Sequence, residues 1–371
     1  MKNSNLVNLS STNDEDVLCS KIGSIGHIVL NRPYALNSLT DKMIATMLSV
    51  LNVWANDDDV CVVVVEGASS TNNKRPFCSG GDIRMIFEGR EDPQRNFAKS
   101  FFSQEYRLNN FIQKYPKPYL SLIDGVVMGG GVGISIHGSH RVVTDRVLFS
   151  MPETGIGLFP DVGGTYFLPR LPDLTGIYIA LTSQRLNLED CIYLGIGTHY
   201  VRSTDYQALV DDLKTSNFQG DAFIKLDNLL EKYLKKAGTA PISKNIENIK
   251  RCFGASSLDE IYHNLKLHKT TWSSETLRDL SKKSPTSLKV TFKQLSEFKH
   301  LDFEDVMKLE YRMVIKFNFS DDLFEGIRAF IIDKDFSPAW NPKNIKDVED
   351  KLVNEYFQEP DSGDINFRTY S

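Results

Sequence analysis

Short apolar runs alternate with amphipathic stretches through the N-terminal half of the chain. VLCSKI and HIVLN flank the turn-forming GSIG, which predicts a hairpin over 17–31. Thr40 and Asp41 then open a helix in which Met43, Met47, Leu48, Leu51 and Trp54 recur on one face. VCVVVVEG is a continuous β-branched run, the pattern of a strand covered on both faces in a parallel or spiral sheet. Gly80 and Gly81 make a turn before Asp82, which takes the N-cap position of the next helical run. A longer helix is expected from about Gln94 to Tyr115, with Phe97, Phe101, Leu108 and Phe111 on its apolar face and Glu105 within it. KPYLSLIDG returns to strand. This alternation predicts a layered α/β fold. Beyond Leu171 helical patterns dominate, with a linker expected at KKAGTAPIS (235–243) and with Ser284 and Pro285 opening one of the later helices.

Composition narrows the function classes. The 371 residues suffice for one large domain with an appendage or for two domains. A net charge of −5 and the lack of a basic stripe argue against nucleic-acid binding. No apolar run reaches the roughly 20 residues that span a bilayer. The polar, acidic start MKNSNLVNLSSTNDEDVL has neither a signal-peptide core nor the arginines of a transit peptide, and is read as a flexible leader over 1–16. Five scattered cysteines without a CxxC argue against a disulfide framework or a zinc site. His137 and His140 lack a third ligand pattern and are read as structural, so no metal is expected. Cys78 is read as a small buried hydrophobe.

The candidate chemistry concentrates between Tyr119 and Leu171, where glycine is dense and two carboxylates, Glu153 and Asp161, stand in apolar sequence. The SGGD (79–82) and MGGG (128–131) turns each follow an apolar run and precede a helix, so their free N–H groups could grip one developing oxyanion; glycines that merely permit tight packing would read the same way. Asp161 serves equally well as a helix N-cap. If both acids line one dry pocket, burial and mutual repulsion should raise at least one pKa. GxGxxG, GxxxxGK[ST] and GxSxG are all absent, which removes dinucleotide, P-loop and nucleophile-elbow readings.

Taken together, NRPYALNSLT, FCSGGDI, DGVVMGGGVG and MPETGIGLFPDVGG resemble the enoyl-CoA hydratase/isomerase (crotonase) superfamily. EYRLNN, SPTSLKVTFKQL and DDLFEGIRAFIIDKDFSPAWNP extend the likeness to its 3-hydroxyisobutyryl-CoA hydrolase family. The resemblance implies a crotonase-like spiral of β-β-α units over 17–205 that carries the active site, followed by a mainly helical region over 206–371. It implies Gly81 and Gly130 as oxyanion-hole donors, Glu153 and Asp161 as catalytic carboxylates, and Glu105, Gly130, Glu153 and Asp161 as substrate-binding residues. NRPYALNSL would lie near CoA, with Arg32 and Lys334 as candidate phosphate partners. The hydratases carry a glutamate three residues beyond the MGGG oxyanion glycine; here that position is Gly133. The implied reaction is hydrolysis of 3-hydroxyisobutyryl-CoA, and of 3-hydroxypropionyl-CoA, in valine catabolism. No cofactor is implied, since CoA is part of the substrate. The implied partner is the acyl-CoA alone, with no nucleic acid and no membrane, and the superfamily admits a homo-oligomer. A mitochondrial matrix location follows from the family and not from a presequence. The alternatives are a hydratase or isomerase of the same fold, and a member retired from catalysis into an interaction subunit.

Overall fold

The computed structural model describes residues 15–70 and 75–367. The expected leader lies outside the described residues except for Glu15 and Asp16, as does the C-terminal RTYS. The predicted hairpin is present: β1 (Val17–Ile22) and β2 (Ile25–Leu30) pair antiparallel with Val17 opposite Leu30. From β2 the sheet continues in parallel through β3 (Val62–Gly67), β4 (Tyr119–Ile123), β6 (His140–Val143) and β8 (His199–Tyr200). β5 (Val126–Met128) and β7 (Leu148–Ser150) form a second, two-stranded parallel sheet.

The β3 run VVVVEG is buried throughout because both faces of the sheet are covered. Val63 and Val65 pack with Met43, Met47, Leu51 and Trp54 of α1 (Asp41–Ala55). Val62 and Val64 meet Leu209, Leu213, Leu226 and Leu230 on the far face, from the helices Tyr206–Thr215 and Ala222–Glu231. Each such side chain contributes about 1.5–3 kcal/mol when withdrawn from water. At the start of α1 the Thr40 side chain accepts the Met43 N–H at 3.2 Å.

Other elements depart from the sequence pattern for identifiable reasons. Asp82 precedes α2 (Ile83–Glu88) but makes no side-chain cap; its carboxylate instead takes the Arg32 guanidinium at 3.0 Å. The long helix α3 spans Asn96–Gln113, and the Asp92 carboxylate accepts the Gln94 and Asn96 N–H groups at 2.9 and 2.8 Å, which sets its start. The 235–243 stretch is tied down rather than free, with Ala240 and Ile242 buried and the Ile242 N–H donating to Asp190 Oδ1 at 2.8 Å. No helix among the described residues is long and apolar enough to cross a membrane.

Candidate active site

Main-chain bonds stitch the two glycine turns together. Phe77 and Cys78 both donate to Val126 O at 3.0 Å, and Met128 donates back to Cys78 O at 3.0 Å. The SGGD turn is also fastened to the NRPYALNSLT segment: Ser79 donates to Leu36 O, Leu39 to Gly80 O and Asp82 to Leu39 O, at 3.0, 2.8 and 2.8 Å. Gly80 (φ 116°) and Gly129 (φ 48°) take left-handed conformations that favour glycine. MGGG runs from the end of β5 into the short helix Gly130–Gly133.

Gly81 and Gly130 are thereby brought side by side. A Cβ built on Gly130 would lie 3.1 Å from the Gly81 nitrogen and 2.3 Å from Glu105 Oε1. Among the described residues neither N–H donates a main-chain hydrogen bond. Two free donors facing one small space beside a carboxyl group suit an oxygen that gains negative charge.

Three acids surround this space. Glu105 projects from the middle of α3, is 2% exposed, and its Oε1 has no hydrogen-bond partner among the described residues. Burial, and secondarily the Asp161 charge, pushes its carboxyl well above the usual range. Glu153 opens the 3-10 turn Glu153–Ile156 after β7; it is 3% exposed and its Oε2 is unpartnered among the described residues. Its Oε1 lies 3.3 Å from where a Gly129 Cβ would stand, so the carboxyl borders the MGGG turn. Burial, then Asp161, raises its pKa too. Asp161 accepts the Tyr106 hydroxyl at 2.9 Å and caps no helix. Burial carries its carboxyl up to about 7, and the tyrosine hydroxyl offsets part of that rise.

The Asp161 loop is held from a distance. The Glu310 carboxylate accepts the Gly163 and Thr165 N–H groups at 2.7 and 2.8 Å. Gln294 Nε2 donates to Pro160 O at 2.8 Å and Thr165 Oγ1 at 2.7 Å. His137 Nε2 donates to Val162 O at 2.7 Å, and burial lowers the imidazole pKa to about 4, so it is a neutral donor. These ties hold Val162 at φ 50°, a strained value for a β-branched residue. The sequence pattern gave no sign of Tyr106, Gln294 or Glu310 in these roles; of the three, only Tyr106 has a local cue, standing next to Glu105.

Other candidates fall elsewhere. Cys78 is buried, with its thiol pushed up to about 12 by desolvation, so it stays protonated. His140 binds Ser139 and Asp227. Arg32 is committed to Asp82, Asp16 and Ser38 O, and Lys334 is exposed.

Position 133 has no room for an acid. A Cβ there would stand 2.7 Å from Val162 Cβ and 2.8 Å from Asn109 Nδ2. Gly133→Glu is expected to destabilise the fold by about 1–3 kcal/mol and to confer no hydration of crotonyl-CoA. A thermal melt and an assay of crotonyl-CoA loss check both parts.

Comparison with known proteins gives consistent matches. The enoyl-CoA hydratase/isomerase family profile matches residues 25–357. The mitochondrial 3-hydroxyisobutyryl-CoA hydrolase of Danio rerio is 41% identical over 362 residues, covering 96% of this chain and 93% of that protein. The Mus musculus protein of the same name is 40% identical over 361 residues, covering 96% and 92%. Among solved structures, a carnitinyl-CoA dehydratase from Mycobacterium thermoresistibile superposes with a TM-score of 0.88 at 35% identity, covering 96% of this chain and 100% of that one.

Proposed function

The chain belongs to the enoyl-CoA hydratase/isomerase family, and we propose that within it the protein hydrolyses 3-hydroxyisobutyryl-CoA to the free 3-hydroxy acid and CoA. The observation that carries this reading is the identity of about 40%, over nearly the whole of both chains, to curated hydrolases of that substrate. The reaction belongs to valine breakdown, and the matching relatives are named mitochondrial. A mitochondrial matrix location, action on 3-hydroxypropionyl-CoA and catalysis without a cofactor are parts of the same proposal.

The mechanism we assign uses the geometry above. The thioester carbonyl oxygen binds between the Gly81 and Gly130 N–H groups, where charge built up at the transition state meets fixed donors. Glu153 acts on the carbonyl carbon by one of two routes. It attacks directly, expelling the CoA thiolate to give a mixed anhydride that water opens, or it takes a proton from a water that attacks instead. In both, the C–S bond breaks and the thiolate leaves, taking up a proton that water supplies to become CoA; the acid's new oxygen comes from water in the second route, and in the first from Glu153 or from water according to which anhydride carbon the water attacks. Asp161, held by Tyr106, orients the 3-hydroxyl, and Glu105 closes the polar end of the acyl pocket.

One observation favours a second reading, the superposition on a dehydratase. Hydration or dehydration across a C–C bond is served by an acid at position 133, and Gly133 supplies none. Thiol release measured over a panel of short acyl-CoAs tests the proposal. Release is expected with 3-hydroxyisobutyryl-CoA and, within about 200-fold in kcat/KM, with 3-hydroxypropionyl-CoA, because one methyl group discriminates weakly. No release from either would overturn the hydrolase assignment.

A further inference from the structure

Beyond residue 280 the chain returns to the site. A cavity of about 550 Å³ opens beside the Glu153 turn, lined in part by Met128, Ser150, Pro152, Gly155, Ile156 and Lys283. Lys283 comes from the connection between the helices Thr271–Leu280 and Pro285–Glu297. That connection is anchored on three sides. The Ser284 N–H donates to Thr154 O at 3.1 Å, one residue from Glu153. The Ser284 hydroxyl donates to Asp322 Oδ2 at 2.6 Å, and Trp340 Nε1 donates to Lys282 O at 3.0 Å. The anchored main chain carries the Lys283 ammonium to 3.4 Å from where a Gly155 Cβ would stand, inside the Glu153–Ile156 turn. Among the described residues this ammonium has no hydrogen-bond or ion-pair partner.

Resting on the hydrolase reading, we propose that Lys283 is a positioning residue for the reaction. Its ammonium, held against the Glu153–Ile156 turn, is a counter-charge that favours the Glu153 carboxylate against the burial and the neighbouring acids that oppose it. The need is electrostatic. Glu153 must be ionised both to attack and to deprotonate water, yet it shares its pocket with Asp161 and Glu105, and both oppose its charge. Asp161 has its own donor in Tyr106; Glu153 has no side-chain donor among the described residues. The Lys283 ammonium, held against the same turn, opposes the rise in the Glu153 pKa. Around Lys283 stand Asp279, Lys282, Arg185 and Glu153, and desolvation lowers its own pKa to about 8. The counter-charge is therefore present at neutral pH and lost as pH rises through that value.

The test is the pH profile of kcat for 3-hydroxyisobutyryl-CoA in wild type, Lys283→Met and Lys283→Arg. In Lys283→Met the acid limb, which reports Glu153 ionisation, is expected to move up by about one pH unit, lowering kcat roughly tenfold near pH 6. The curves are expected to converge above about pH 9, where the wild-type lysine is itself neutral, and KM to stay within about twofold. Lys283→Arg is expected to restore the wild-type limb. Should Lys283→Met melt early, Lys283→Gln keeps a polar head in the cavity and serves the same comparison. A neutral variant with an unshifted limb, or a loss of rate uniform in pH that arginine does not restore, overturns the role while leaving the hydrolase reading intact. No thiol release by wild type at any pH overturns both.

Discussion

Glu153→Ala is expected to lower kcat for thioester hydrolysis by at least about 10³-fold while CoA still binds. No neighbour can take over. Asp161 is bound to Tyr106, Glu105 lies on α3 across the paired glycine turns, and Gly133 offers no carboxyl. Binding should survive because Glu153 sits in the acyl pocket, and CoA contacts made equally in ground and transition states are untouched. Glu153→Gln, which keeps the shape of the side chain, should lose as much. Thiol release followed at saturating substrate, with CoA titrated by calorimetry, separates the two effects. Wild-type turnover in either variant would remove Glu153 from the mechanism.

Gly130→Ala is expected to cost about 10²–10³-fold in kcat through the oxyanion donors. The added methyl would fall 2.3 Å from Glu105 Oε1 and 3.1 Å from the Gly81 nitrogen, in the space assigned to the carbonyl oxygen. The backbone conformation is not the obstacle, since Gly130 begins a helical turn at negative φ. The expected signature is therefore a large loss of kcat with a modest loss of stability, measured by steady-state kinetics and a thermal melt on one preparation. A variant that keeps its rate would mean that the carbonyl binds elsewhere.

How much of this could be read from sequence depended on how far apart the cooperating residues lie. The β3 run announced itself because two separate apolar layers press on it, and α1 because Thr40 and the apolar stripe from Met43 to Trp54 are local signals. The SGGD and MGGG turns stood out because close main-chain approach leaves little room for side chains there. Asp82 stands at the N-cap position that the sequence indicates but makes no capping hydrogen bond, and the residue that takes its carboxylate, Arg32, lies 50 residues away and leaves no local cue. The surroundings of the acids were invisible for the same reason: Glu310 reaches back 147 residues to Gly163, and Gln294 134 residues to Pro160. Lys283 carries no local cue that it lies against the Glu153–Ile156 turn, where the Ser284 to Thr154 hydrogen bond helps hold it. Neighbouring sequence can suggest an acid, but distant elements determine its environment and hence its protonation.

On the hydrolase reading, this site breaks a thioester and leaves the carbon skeleton intact. One substrate distinguishes the outcomes. The purified protein is incubated with 3-hydroxyisobutyryl-CoA and the products are identified by mass. Free CoA and 3-hydroxyisobutyrate are expected in equal amounts, with Glu153→Ala producing neither. Loss of water with the thioester still joined, giving the unsaturated methacrylyl-CoA, would contradict that reading and make the protein a dehydratase.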